Sequence, residues 1–125
     1  EGYSMKDIYN FILQGKRQKD IFLKVIEGFD NITVICKDSR EVAFSGDEKF
    51  FFTFIDGNHS PSYVWNDFKL AWNNTVSKGA VAFHDYRGDL PETTETINKI
   101  TDKYREEIFQ TEEITEKKIL FLFKK

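Results

Sequence analysis

The chain has 125 residues, 40% hydrophobic and 31% charged, with a formal net charge of −3. That length supports one domain with a real core, and the charge gives no electrostatic case for nucleic acid or an anionic membrane surface. No apolar run approaches the ~20 residues of a membrane span, no signal peptide is visible, and the lone cysteine, Cys36, excludes an internal disulfide and fits a reducing, cytoplasmic setting.

Ser4 caps a first helix running to about Gln14, and Gly15 interrupts it. A second helical stretch spans Lys16 to Glu27, with Ile21, Phe22, Val25 and Ile26 on one face and Gly28 as its stop. Lys16, Arg17 and Lys19 form its solvated basic face. Ile32 to Cys36 is a β-branched run, which predicts a strand buried on both faces and makes Cys36 a buried thiol rather than a nucleophile. Ser39 to Val42 is a short helical turn, and Ser45-Gly46-Asp47 a loop.

Phe50 to Ile55 is the next strand, and it ends abruptly in Asp56-Gly57-Asn58-His59. Ser60 and Pro61 open a helix whose inner stripe is Val64, Phe68, Ala71, Trp72 and Val76. Trp65 and Trp72 lie seven apart, the spacing of core residues, although Trp65 also suits an aromatic substrate platform. Lys78-Gly79 is a turn, and the strand Ala80 to Phe83 ends in His84-Asp85-Tyr86. Pro91 starts a helix with Ile97, Ile100 and Tyr104 inward. Ile108 to Ile114 and Lys118 to Lys125 close the chain as a hairpin, and Ile119 to Phe123, apolar on both faces, reads as a central strand. The alternation of strands and helices predicts an α/β fold, a mostly parallel sheet with a C-terminal antiparallel hairpin.

Two strand ends carry metal-competent side chains. In open α/β sheets, ligands bind just beyond the carboxyl ends of parallel strands, so Asp56, His59, His84 and Asp85 predict one cleft. A purely structural reading of the same residues has Asp56 and Asp85 capping helices and the histidines satisfying loop carbonyls. Gly57-Asn58-His59 and His84-Asp85 also evoke a metallophosphoesterase, but two histidines are too few for that site.

The segment IDGNHSPSYVWNDF, the Lys-Gly turn and AVAFHDY resemble the second half of Rossmann-like S-adenosylmethionine-dependent methyltransferases. The closest likeness is to the small-molecule and sugar O-methyltransferase branch, and it covers Asn31 to Lys125 well and the first thirty residues loosely. The resemblance implies S-adenosylmethionine as cofactor, with Asp38, Ser39, Asp56 and Gly57 on its binding side. It implies Asp56 and Asp85 as ligands of a divalent metal, Mg or Mn, and His59 or His84 as general base for methyl transfer to a small-molecule or sugar hydroxyl. His84 stands where many relatives have a second acid, which shifts the site away from a hard, oxygen-loving magnesium.

The family's Gly-rich turn is missing. No strand followed by G-x-G exists in the chain, and it begins at Glu1 rather than Met. The sequence therefore reads as a single partial domain, residues 1–125, incomplete at its N-terminus. This predicts weak cofactor binding by the chain alone, and association of its exposed edges with a preceding segment or a second copy. A non-catalytic interaction module of the same fold is the alternative.

Overall fold

The computed structural model describes residues 4–125, except the side chains of Met5 and Tyr9. It divides into two compact units, one ending at Cys36 and one running from Lys37 to Lys125.

In the first unit, α1 (Met5–Leu13) starts at Ser4 through a reciprocal capping box with Asp7. It ends where Gln14 and Gly15 both turn left-handed. Helix α2 (Gln18–Val25) is shorter than its apolar pattern predicts, and none of its residues is buried. The expected inner face is thus half-open, with Phe22 and Val25 exposed. Gly28 does take the left-handed conformation of a helix stop. The run Ile32 to Cys36 is not a strand. It has no ladder partner among the described residues, and Ile32, Val34, Ile35 and Cys36 are exposed. β-branched residues favour extended backbone, but only a neighbouring strand turns extended backbone into sheet. Cys36 is therefore not the buried thiol expected.

In the second unit, the turn Ser39–Glu41 leads into β1 (Phe50–Ile55), α3 (Pro61–Trp72), β2 (Thr75–Phe83), α4 (Pro91–Lys103), β3 (Ile108–Ile114) and β4 (Ile119–Lys124). The architecture is α/β, with strand order β1-β2-β4-β3. β1 and β2 are parallel, and β4 runs antiparallel to both β2 and β3. The closing hairpin and the interior place of β4 are as expected. The parallel part is smaller than expected, because Ile32–Cys36 contributes no strand.

Alternation along the strands sorts their side chains. Val81, Phe83, Leu120 and Leu122 face α3 and α4 and form the core with Val64, Phe68, Trp72, Ile97 and Ile100. Phe68 stacks between Trp72 and Phe83, at centroid distances of 5.2 and 5.9 Å. The Trp72 indole N–H donates to Glu107 at 2.8 Å. Trp65 is half-buried against this core, beside Lys69 and Lys103, and so packs rather than standing free as a platform.

Two local expectations change. Val76 does not extend the α3 stripe, because the helix stops at Trp72 and Val76 lies in β2. Lys78 and Gly79 are not a turn before the strand but an irregularity within it. Phe50 pairs with Thr75 and Phe52 with Ala80, so β2 carries extra residues there. Lys78 is left-handed at φ 67°. A Cβ on Gly79 would lie 2.8 Å from the Phe51 carbonyl oxygen, so only glycine lets the two backbones approach.

Candidate functional site

The parallel register sets the site. Ile55 pairs with Phe83, so the chain leaves β1 and β2 at the same edge of the sheet. The His84 N–H donates to the Ile55 carbonyl at 3.0 Å and ties the two exits together. Asp56, His59, His84 and Asp85 then follow from the two strands into one cluster.

His59 Nε2 lies 2.7 Å from Asp85 Oδ2, hydrogen-bonded to it. The Thr93 hydroxyl donates to the His59 carbonyl at 3.2 Å and holds that loop against the start of α4. His84 Nδ1 is 3.2 Å from Asp85 Oδ2 and 3.5 Å from Asp56 Oδ1. Neither contact has hydrogen-bond alignment, and Nδ1 is buried without a partner. Such orphaned buried atoms are uncommon in folded proteins. Asp56 is the open member of the group, with half its side chain exposed. One donor atom each from Asp56, His59 and Asp85 lies within 4.8 Å of the others.

Asp85 is held firmly. Burial pushes its carboxyl up, but the His59 hydrogen bond and the adjacent His84 ring outweigh burial and hold it below the usual carboxylate range. Its backbone is left-handed at φ 58°, as is Arg87 at φ 55°. A non-glycine residue in such a conformation costs about 1–3 kcal/mol and persists only where surrounding contacts impose it. Here Tyr86 N–H donates to the Lys118 carbonyl, Arg87 N–H to the Thr94 hydroxyl and Gly88 N–H to the Asp85 carbonyl.

Beside the cluster an open groove of about 540 Å³ runs along β1, lined by Ser39, Phe54, Asp56, Gly57, Asp67 and Leu70 among others. Three of the four residues expected on the cofactor side, Ser39, Asp56 and Gly57, meet there. Asp38 behaves differently. Its carboxylate accepts from the Arg40 N–H, the Arg40 guanidinium and the Tyr63 hydroxyl, at 2.7–3.1 Å. Those donors, Arg40 first, hold its carboxyl far below the ordinary range. Asp38 thus fixes the turn that presents Ser39, whose hydroxyl accepts from Asn66 at 3.4 Å.

A methyltransferase-domain family model matches residues 7–86, more than half of the chain. The chain belongs to the methyltransferase-domain family. The match takes in β1, α3, β2 and every candidate site residue, while the β3–β4 hairpin lies beyond it. It begins within α1, so the likeness reaches further toward the N-terminus than the motifs around Asp56 imply. No curated protein matches the chain.

Two residues beside the cluster and groove, Asp67 within the matched segment and Thr93 beyond it, were absent from the sequence-derived site. Asp67 lines the groove, and a Cβ on Gly57 would lie 3.3 Å from its carboxylate. Its signal was present in the sequence, an acid eleven residues beyond Asp56 on the following helix. Thr93 carried no signal, because an inward threonine on a helix looks like core.

Proposed function

We propose that this chain supplies the acceptor site and the adenine side of an S-adenosylmethionine-dependent O-methyltransferase acting on a small-molecule or sugar hydroxyl. The observation that carries this reading is the convergence of Asp56, His59 and Asp85 at the shared end of two parallel strands, beside a groove. The cofactor supplies an electrophilic methyl on a sulfonium. The new C–O bond forms as the S–C bond breaks, and the hydroxyl proton must go to a base. His59 is oriented for that task. With Nε2–H donated to Asp85, its Nδ1 lone pair is free to take the proton, and Asp85 stabilises the imidazolium that results. Ser39, Asp56 and Gly57 line the cofactor side of the groove.

A divalent ion is favoured as an accessory by the donor set itself. Donor atoms of Asp56, His59 and Asp85 lie within 4.8 Å of one another, and the half-exposed Asp56 leaves the group open to solvent. Asp56 and Asp85 would hold it, and its chemistry there is to lower the hydroxyl pKa and orient the oxygen.

No strand followed by G-x-G lies within these 125 residues. We therefore assign the contacts to the methionine and ribose of the cofactor to residues outside them. The outer edge of β1, which has no ladder partner among the described residues and leaves Phe51 and Phe52 exposed, supports association there with such a segment or a second copy. The test is methyl transfer from labelled cofactor to a panel of polyhydroxylated small molecules, by this chain and by a longer protein that carries it. Transfer by the longer protein that is lost in His59→Ala supports the reading, and transfer indifferent to His59 and Asp85 overturns it.

A further inference from the structure

We propose that the cluster at the ends of β1 and β2 selects a first-row transition-metal dication of the Mn²⁺, Co²⁺ or Zn²⁺ kind over Mg²⁺, with His84 Nδ1 as its nitrogen ligand beside Asp56 and Asp85. This rests on the reading of the cluster as the acceptor site and names the ion that site takes.

His84 decides it. Its Nδ1 lies within ion-pair reach of two carboxylates but has hydrogen-bond alignment with neither. If Nδ1 carries the proton, no aligned acceptor receives it. If Nδ1 is bare, its lone pair sits against two anionic oxygens. A cation between the three groups resolves both cases. The spacings of 3.2 and 3.5 Å match the edges of a coordination shell with ~2.1 Å bonds, about 3.0 Å for an octahedron and about 3.4 Å for a tetrahedron. His59 is the other imidazole within reach, but its Nε2 is already bonded to Asp85 at 2.7 Å and needs no ion. The Phe54 ring lies edge-on to the His84 ring, 6.0 Å away between centroids, and gives the imidazole an apolar neighbour.

The chemistry of the donors then sets the preference. Mg²⁺ demands oxygen ligands in near-ideal octahedral geometry and keeps its waters. Two carboxylates and an imidazole instead suit the borderline ions, whose affinity for nitrogen rises along the first transition row. The half-exposed Asp56 gives an ion a route in from solvent.

The test needs neither cofactor nor acceptor, so it can fail independently of methyl transfer. The purified chain is titrated calorimetrically with Mg²⁺, Mn²⁺, Co²⁺ and Zn²⁺ separately, and the Co²⁺ complex is followed by its visible absorption. One Co²⁺ or Zn²⁺ per chain, bound roughly 100-fold or more tighter than Mg²⁺, is expected. His84→Ala should abolish that preference and the nitrogen-ligated Co²⁺ spectrum. His84→Asp should keep a site but move it toward Mg²⁺ by about tenfold or more. Circular dichroism of each variant checks the fold, and the wild-type comparison alone is already decisive. Equal affinity for Mg²⁺ and Co²⁺, no stoichiometric ion at all, or a loss caused by His59→Ala and not by His84→Ala would each overturn the proposal. Stoichiometric Co²⁺ binding through His84 in a protein without methyl transfer would keep this inference and remove the proposed function.

Discussion

The turn at Asp38 and the strand ends at Asp56 and Asp85 are both acidic clusters that follow apolar segments, and they are built in opposite ways. Asp38 is closed. Its oxygens are taken by Arg40 and Tyr63, and the Arg40 guanidinium lies 4.2 Å above the Tyr63 ring. The second cluster is open. Asp56 is half-exposed, His84 Nδ1 has no partner, and Asp85 is held in a strained backbone by the loop around it. A cluster whose donors and acceptors match shapes the chain. A cluster with groups left over, on a rigid strand end, is where a ligand gains most. On the proposed reading, the contrast puts Asp38 in the architecture and Asp56, His59, His84 and Asp85 in the chemistry.

The largest expected effect breaks the open cluster. Asparagine tolerates the left-handed backbone of position 85, so Asp85→Asn should leave the fold intact. In a transfer-competent protein carrying this chain, it should lower kcat by about 100-fold or more, the usual contribution of a positioned base. Steady-state methyl transfer measures this, and an unchanged kcat would put Asp85 in the architectural class.

A smaller effect concerns the register that brings the two strand ends together. Gly79→Ala pushes a methyl against the Phe51 carbonyl and Thr75, and should destabilise the chain by about 1–3 kcal/mol, read from the midpoint of urea unfolding. A neutral result would mean that β1 and β2 re-pair without the close approach.

The smallest effect sharpens the contrast through pH. The carboxyls of Asp38 and Asp85 both lie below their ordinary value when folded. Each therefore contributes stability that is full above the unfolded pKa of about 3.9 and is lost as pH falls through the lower folded value. Asp38→Asn should flatten this acid loss and leave transfer near wild type. Thermal unfolding between pH 2 and 6 checks the first part. A kcat that falls as far as in Asp85→Asn would erase the distinction between the two clusters.

Much of this was legible in the residues, and the failures have physical causes. Ile32–Cys36 and Ile119–Phe123 are both unbroken apolar runs and look alike on paper. The second lies between β2 and β3 and becomes a strand, while the first has no ladder partner among the described residues and does not. Composition records a preference for extended backbone, not the presence of a neighbour. The polar strand ends were legible for the same reason that they are functional candidates, since Asp56 and His84-Asp85 interrupt residues that are otherwise buried or apolar. Their meeting depends on the pairing of Ile55 with Phe83, which the parallel alternation implied. The engagement of Asp38 was hidden, because Tyr63 reaches it from twenty-five residues away. The Lys78-Gly79 pair signalled a turn and proved a bulge, because the two share the same need for left-handed or glycine backbone.

The most direct test of the account is a titration of the isotope-labelled chain with S-adenosylhomocysteine, followed residue by residue by NMR. The account predicts that Ser39, Asp56, Gly57 and Asp67 shift together. It also predicts weak affinity, because several charge-assisted hydrogen bonds worth about 1.5–3 kcal/mol each are missing with the Gly-rich turn, a loss of roughly three decades or more. Shifts confined to other surfaces would contradict the assignment of the groove, and a micromolar dissociation constant would contradict the claim that the rest of the cofactor site lies outside these residues.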